Sequence, residues 1–205
     1  MKTGILNYGI GNIGSLASAL EFLKQKPTLV STAADLDSLD ALIIAGNGHY
    51  THAMEVLTRG PLHESFHNFA RQKKKPVLGI CIGMQLFADS SEEGSTETKG
   101  LGWLPGKVVK LRAGEKTPHI GWVPLHDSRG ALHKGGDTGP YYFMHSYHFE
   151  VKDPSCVTAW AKHGTHSFAA SVQSENLFGV QFHPEKSQGD GVRLLFNFLE
   201  AARGF

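Results

Sequence analysis

Two short apolar runs, Asp40-Ala-Leu-Ile-Ile-Ala45 and Pro76-Val-Leu-Gly-Ile80, constrain this chain more than any other feature. The first is apolar at consecutive positions rather than alternate ones, which reads as a strand buried on both faces of a parallel sheet. The second reads as a further strand of the same set. Gly4–Tyr8 and Pro27–Val30 read as the two strands before them. Residues 13–24 carry Ile13, Leu16, Leu20 and Leu23 at helical spacing, and residues 50–58 and 61–74 are also read as helices, with Gly60-Pro61 between them. A helical stretch follows the fourth strand through about Ala88. Strands that alternate with helices imply right-handed βαβ units and a doubly wound sheet.

The second half has a different rhythm. Lys107–Leu111, Tyr141–Met144, Tyr147–Val151, Cys156–Ala161, Phe168–Val172 and Phe178–Phe182 are closely spaced and strand-like. They predict an antiparallel layer joined to the parallel sheet. A helix is expected from Ser187 to about Ala202, with Val192, Leu195, Phe196 and Leu199 on one face, and Asp89–Lys99 is expected to be a loop. With 205 residues and neither an internal repeat nor a linker-like tract, one domain over 1–205 is expected.

Composition removes several classes. Lys and Arg number 20 against 19 Asp and Glu, a balance that argues against nucleic-acid binding led by electrostatics. No apolar run approaches the roughly 20 residues of a membrane span. The start of the chain lacks the apolar core of a secretion signal. Two cysteines, Cys81 and Cys156, cannot form a disulfide framework, so reduced thiols and a cytoplasmic setting are expected.

Three motifs carry candidate chemistry. Gly9-Ile-Gly-Asn-Ile-Gly14 has the G-x-G-x-x-G form between a strand and a helix. No acid stands clearly at the end of the second strand, where a dinucleotide ribose would need one, and a tight turn is the better reading. His63-Glu-Ser-Phe-His67 is literally H-E-x-x-H, the spacing of a zinc protease helix. The expected buried stripe runs through Leu62, Phe66, Phe69 and Ala70, which leaves both histidines beside it towards solvent. The following Arg71-Gln-Lys-Lys-Lys75 would repel a cation. A solvated face is expected, with no metal and no cofactor.

The third motif joins two distant segments. Gly79-Ile-Cys-Ile-Gly83 is the cysteine counterpart of the G-x-S-x-G elbow. Its glycines permit a sharp turn that lifts Cys81 out of the sheet. A helix start there favours the thiolate and offers the Ile82 N–H to an oxyanion. Taken alone, Cys81 is equally a buried structural thiol. Gln181-Phe-His-Pro-Glu185 supplies a partner: His183 and Glu185 are two apart in an extended stretch and so share a side, and Pro184 biases His183 towards that conformation. His183 then acts as base to Cys81, with Glu185 fixing its tautomer.

With these segments in view, nearly the whole chain resembles class I glutamine amidotransferase domains, most closely the glutaminase subunits that serve imidazole glycerol phosphate synthase. The resemblance rests on Asn7–Ile13, Pro76–Phe87, Gly100–Gly106, Pro118-His-Ile-Gly-Trp122, Tyr142–Tyr147 and Phe178–Ser187. It implies a flavodoxin-like three-layer α/β sandwich, with a mostly parallel central sheet and added antiparallel strands. It implies that Cys81 attacks the glutamine amide with His183 as base and Glu185 behind it. Gly48 and Ile82 would form the oxyanion hole. Gln85 and Glu93 would hold the bound glutamine, Glu93 at its ammonium, and Ser146 and Tyr147 would lie by its carboxylate. Ammonia would pass to a cyclase subunit, a (β/α)8 barrel that makes imidazole glycerol phosphate and AICAR, across an interface that includes Asn12, Trp122 and Lys186.

Three departures bear on these expectations. Ala45-Gly-Asn-Gly48 stands where the family usually has Pro-Gly-Val-Gly, Asn7 where it often has Asp, and Val123 where it usually has Asn. The first frees φ at position 45 and adds an N–H, and predicts a more easily reoriented peptide at Asn47–Gly48. The alternatives are a paralogous subunit that serves another amination, such as that of a nucleotide sugar, and a stand-alone cysteine hydrolase of this fold.

Overall fold

A strand that is apolar on both sides needs cover on both faces, and the computed structural model supplies it. The structure describes residues 1–59, 62–112 and 116–205. Gly60 and Pro61, read above as the break between two helices, lie outside the described residues. The first half runs β1 (Thr3–Leu6), α1 (Ile13–Phe22), β2 (Thr28–Val30), α2 (Ala33–Asp37), β3 (Ala41–Gly46), α3 (Tyr50–Arg59), α4 (Leu62–His67), β4 (Val77–Cys81) and α5 (Ile82–Gln85). The second half runs β5 (Ser90–Ser91), β6 (Thr98–Lys99), β7 (Gly106–Lys110), β8 (His119–Val123), β9 (Tyr141–His145), β10 (Tyr147–Val151), β11 (Val157–His163), β12 (His166–Ser174), β13 (Leu177–Val180) and α6 (Gln188–Ala202).

The central sheet has the order β11-β12-β13-β4-β3-β1-β2. Pairing is parallel from β13 through β2 and antiparallel among β11, β12 and β13. Successive strand residues face opposite layers. Ile43, Leu78, Ile80 and Phe178 pack with Leu16 and Leu20 of α1 and Leu194 and Phe198 of α6. Leu42, Ile44, Val77 and Leu177 pack with Tyr50, Met54, Leu57 and Phe66 of α3 and α4. This is the expected three-layer arrangement.

The expected antiparallel layer divides. Only β11 and β12 extend the central sheet, through β13. Strands β10, β7, β5 and β6 form a separate four-stranded sheet, and β8 and β9 a two-stranded one. Strand β8 was not foreseen because Gly121, at φ +149°, interrupts its apolar pattern. Helix α2 was not foreseen either; it is held by a reciprocal cap between Thr32 and Asp35. The loop expected over Asp89–Lys99 contains β5 and β6. After Cys81 the regular helix ends at Gln85 and tightens into turns in which Phe87 and Ala88 donate to Met84 and Gln85. Among the described residues no helix is long and apolar enough to cross a membrane.

The glycine-rich segment before α1 is a tight turn. Gly9 and Gly11 have φ +80° and +111°, and a Cβ on Gly11 would lie 2.7 Å from the Ala45 carbonyl oxygen. His67 departs from the expected solvated position: its Nδ1 accepts the indole N–H of Trp103 at 3.1 Å.

Burial holds His119, His133 and His148 down to about 4 and His145 to about 3, from an ordinary value of 6.5. The unfolded chain therefore binds protons that these folded rings refuse, so their contribution to stability is full above pH 6.5 and is lost as the pH falls towards 4. The urea midpoint is expected to drop steeply between pH 6.5 and 4.5. A flat midpoint over that range would contradict the buried, neutral state of these rings.

Candidate active site

The elbow forms where β4 ends. Strand β4 is hydrogen-bonded on both sides, to β3 and β13, so its carboxyl end is fixed. Cys81 turns there with φ 55° and ψ −110°, a left-handed φ that costs a non-glycine residue about 1–2 kcal/mol. The flanking glycines make the turn sterically accessible. A Cβ on Gly79 would lie 2.5 Å from the Gly83 carbonyl oxygen, and one on Gly83 would lie 1.9 Å from that of Ile44. Both contacts are with backbone, which has little room to yield.

His183 arrives on the segment after β13, which pairs in parallel with β4 and so delivers it to the same end of the sheet. Its N–H donates to the Tyr142 carbonyl at 2.8 Å. Ser187 ties the segment down: its hydroxyl donates to the His183 carbonyl at 2.6 Å and accepts the Tyr142 N–H at 2.9 Å. His183 Nδ1 lies 2.8 Å from Glu185 Oε1, with both side chains 4% exposed. His183 Nε2 is buried with no conventional hydrogen-bond partner and interacts with Cys81. Burial opposes the imidazolium, but Cys81 and Glu185 outweigh it and raise His183 to about 10. A thiol, an imidazole and a carboxylate in this order can pass a proton from sulfur to nitrogen and keep the resulting imidazolium.

The sulfur faces a cavity of about 70 Å³ lined by Asn47, Gly48, Cys81, Ile82, Gln85, Glu93, Met144, His145, Ser146 and Tyr147. That is far below the roughly 300–1,000 Å³ of sites for drug-sized ligands, and it suits a small polar molecule. The structure thus brings together the triad with Gly48, Ile82, Gln85, Glu93, Ser146 and Tyr147. Glu93 is oriented from α3, where its Oε2 accepts the Tyr50 N–H at 2.9 Å and its carbonyl accepts the Thr51 hydroxyl. Gly48 has φ +122°, and a Cβ there would meet nothing within 4 Å. Gly48 lines the cavity.

Asn12, Trp122 and Lys186 lie outside the cavity. The Asn12 carboxamide oxygen caps α1 by accepting the Ser15 N–H. Trp122, 45% exposed, meets the Tyr142 ring edge-on with centroids 5.7 Å apart, and the Lys186 ammonium sits 5.7 Å over the same ring. Ile120, 57% exposed on the same strand, extends this apolar patch. Two further contributors were missed in the sequence. Gln181, fully buried, donates from Nε2 to the Cys81 sulfur at 3.7 Å, and Ser187 anchors the His183 segment. The period-2 alternation through Gln181 and His183 is the signal that places Gln181 on the sulfur's side.

A family model described as glutamine amidotransferase class-I matches residues 5–202. Among curated relatives, the imidazole glycerol phosphate synthase subunit HisH of Bdellovibrio bacteriovorus is 40% identical, covering 96% of this chain and 98% of its own. The subunit of the same name from Leptospira interrogans is 38% identical, covering 95% and 98%. Among solved structures, a glutamine amidotransferase superposes with TM-score 0.78 at 21% identity over 99% of this chain and all of its own. PurLQS from Thermotoga maritima superposes with TM-score 0.76 at 20% identity over 98% of each.

Proposed function

The chain belongs to the class-I glutamine amidotransferase family, and on that premise we propose that it is the glutaminase subunit of an imidazole glycerol phosphate synthase. The observation that carries the reading is Cys81, held at φ 55° over a small cavity, coupled to a His183–Glu185 pair. The chain acts as one domain, in the cytoplasm.

Cys81 adds to the side-chain amide carbon of glutamine while its proton passes to His183 Nε2. The Gly48 and Ile82 N–H groups meet the oxygen that gains charge. His183 gives the proton to the departing nitrogen, and ammonia leaves. Water, deprotonated by His183, then cleaves the glutamyl thioester and frees glutamate and the thiol. Glu93 pairs with the α-ammonium group, Ser146 and Tyr147 lie at the α-carboxylate, and Gln85 completes the wall. Glu185 holds the proton of His183 on Nδ1 so that Nε2 faces the sulfur.

Glu185→Gln keeps the shape and removes the charge. It is expected to lower kcat for glutamine hydrolysis by about 10²–10⁴. A loss under threefold would remove Glu185 from the triad.

Ammonia passes to a (β/α)8-barrel cyclase docked on the face that carries Asn12, Trp122 and Lys186. Trp122 and Ile120 give that face an exposed apolar centre beside a cation, the composition of an interface hot spot. The test is titration calorimetry of the chain against a histidine-pathway cyclase barrel. Saturable one-to-one binding that Trp122→Ala weakens at least about tenfold is expected. No binding would direct the search to a paralogous partner.

A further inference from the structure

The hydrogen bonds behind Cys81 fix the orientation of a buried carboxamide. The Tyr147 carbonyl can only accept, so the Gln85 atom 2.8 Å from it is the amide nitrogen. That same nitrogen lies 3.0 Å from an atom of the Gln181 side chain, which must therefore be the carboxamide oxygen. The remaining end of Gln181 is its NH2 group, and this faces the Cys81 sulfur at 3.7 Å. The second lone pair of the Tyr147 carbonyl takes the His145 Nδ1–H at 2.9 Å, and His145 Nε2 in turn accepts from His119 Nδ1 at 3.1 Å. Each donor nitrogen in this chain has an acceptor. If Gln181 turned over, two NH2 groups would face each other in the core, at the cost of unsatisfied buried donors.

We propose that Gln181 is a positioning residue for Cys81, held with its N–H towards the sulfur by Gln85 and the Tyr147 carbonyl so that it favours the thiolate. The proposal rests on the reading of Cys81 as the nucleophile. Gln181 directly follows β13, the neighbour of β4, and is not among the residues that line the cavity. Besides His183, the thiol form has only a long contact to an acceptor, 4.0 Å to the Met144 carbonyl, whereas the Gln181 N–H can donate to the ionised sulfur. The chain of bonds also runs from β8 and β9, the strands that carry Trp122 and Tyr142, to the nucleophile.

The test reads the sulfur without glutamine. In a Cys156→Ser background, Cys81 is alkylated with iodoacetamide across a pH series and followed by mass spectrometry. Gln181→Met matches the length and has no donor; it is expected to slow alkylation about tenfold at neutral pH, with the difference closing at alkaline pH. Gln85→Met leaves the sulfur's neighbours in place but frees Gln181 to turn, and is expected to slow alkylation several-fold. A purely structural role would lower thermal stability and leave the pH dependence of alkylation where it was. Alkylation at the parent rate in either folded variant overturns the proposal. Gln181-dependent alkylation in a parent that releases no glutamate even with the loaded cyclase barrel present would support the positioning role while refuting the proposed function.

Discussion

Cys81→Ala is expected to release no measurable glutamate from glutamine, a loss on the order of 10⁴–10⁶ in turnover, because the covalent step has no substitute nucleophile. The fold supplies a second, independent expectation at the same position. The elbow forces φ 55° on whatever residue stands there. Alanine keeps that strain and glycine relieves it. Cys81→Gly is therefore expected to be as inactive as Cys81→Ala but more stable by about 1 kcal/mol, read from paired urea unfolding curves. The nucleophile would then sit where stability is sacrificed for geometry. A glycine variant less stable than the alanine variant would mean that the elbow is relaxed, and detectable turnover by either would remove Cys81 from the chemistry.

Gly83→Ala is expected to be among the most damaging single-methyl changes in the described residues. Its Cβ would lie 1.9 Å from the Ile44 carbonyl oxygen and 2.9 Å from the carbonyl carbon. Strand β3 is hydrogen-bonded between β1 and β4 and cannot retreat. Either β3 shifts or the turn of α5 lifts away, and both displace Cys81. A loss of at least about 3 kcal/mol in unfolding free energy is expected, with glutaminase activity lost together with it. Gly189→Ala in α6 is the matched control: nothing lies within 4 Å of its Cβ, so it should be neutral or stabilising by up to about 1 kcal/mol. Equal effects from the two substitutions would contradict the close approach of α5 to β3.

What the sequence made legible follows from which interactions are local. The apolar runs at 41–46 and 77–81 announce strands buried on both faces because a continuous apolar run has few other uses. Cys81, His183 and Glu185 were legible because glycine spacing and an extended His-Pro-Glu stretch dictate local geometry. The division of the second half into separate sheets was not legible. Strands Gly106–Lys110 and Tyr147–Val151 pair across some forty residues, and nothing local records that they pair with each other rather than with the central sheet. The same holds for Gln181. Its alternation with His183 places it on the correct side, but its role depends on Gln85, ninety-six positions away. His67 shows the converse error: its position on the helix suggested solvent, and a tryptophan thirty-six residues on covers it.

The functional reading also explains why the departures from the family pattern fall where they do. Ala45-Gly-Asn-Gly48 borders the cavity, and Val123 ends the strand that carries Trp122. Gly46 is the β3 partner of Cys81 on β4, and both glycines of the pattern are kept. The chemistry of Cys81 is expected to be unchanged in kind.

Glutamate release from glutamine separates the role of Cys81 from that of the partner. It is measured for the chain alone, and for the chain mixed with a histidine-pathway cyclase barrel and its nucleotide ligand, with Cys81→Ala as control. Low release is expected from the chain alone, a strong rise when the loaded barrel is present, and none from the variant. Release that ignores the barrel would contradict the assigned partner, and release that survives Cys81→Ala would contradict the mechanism.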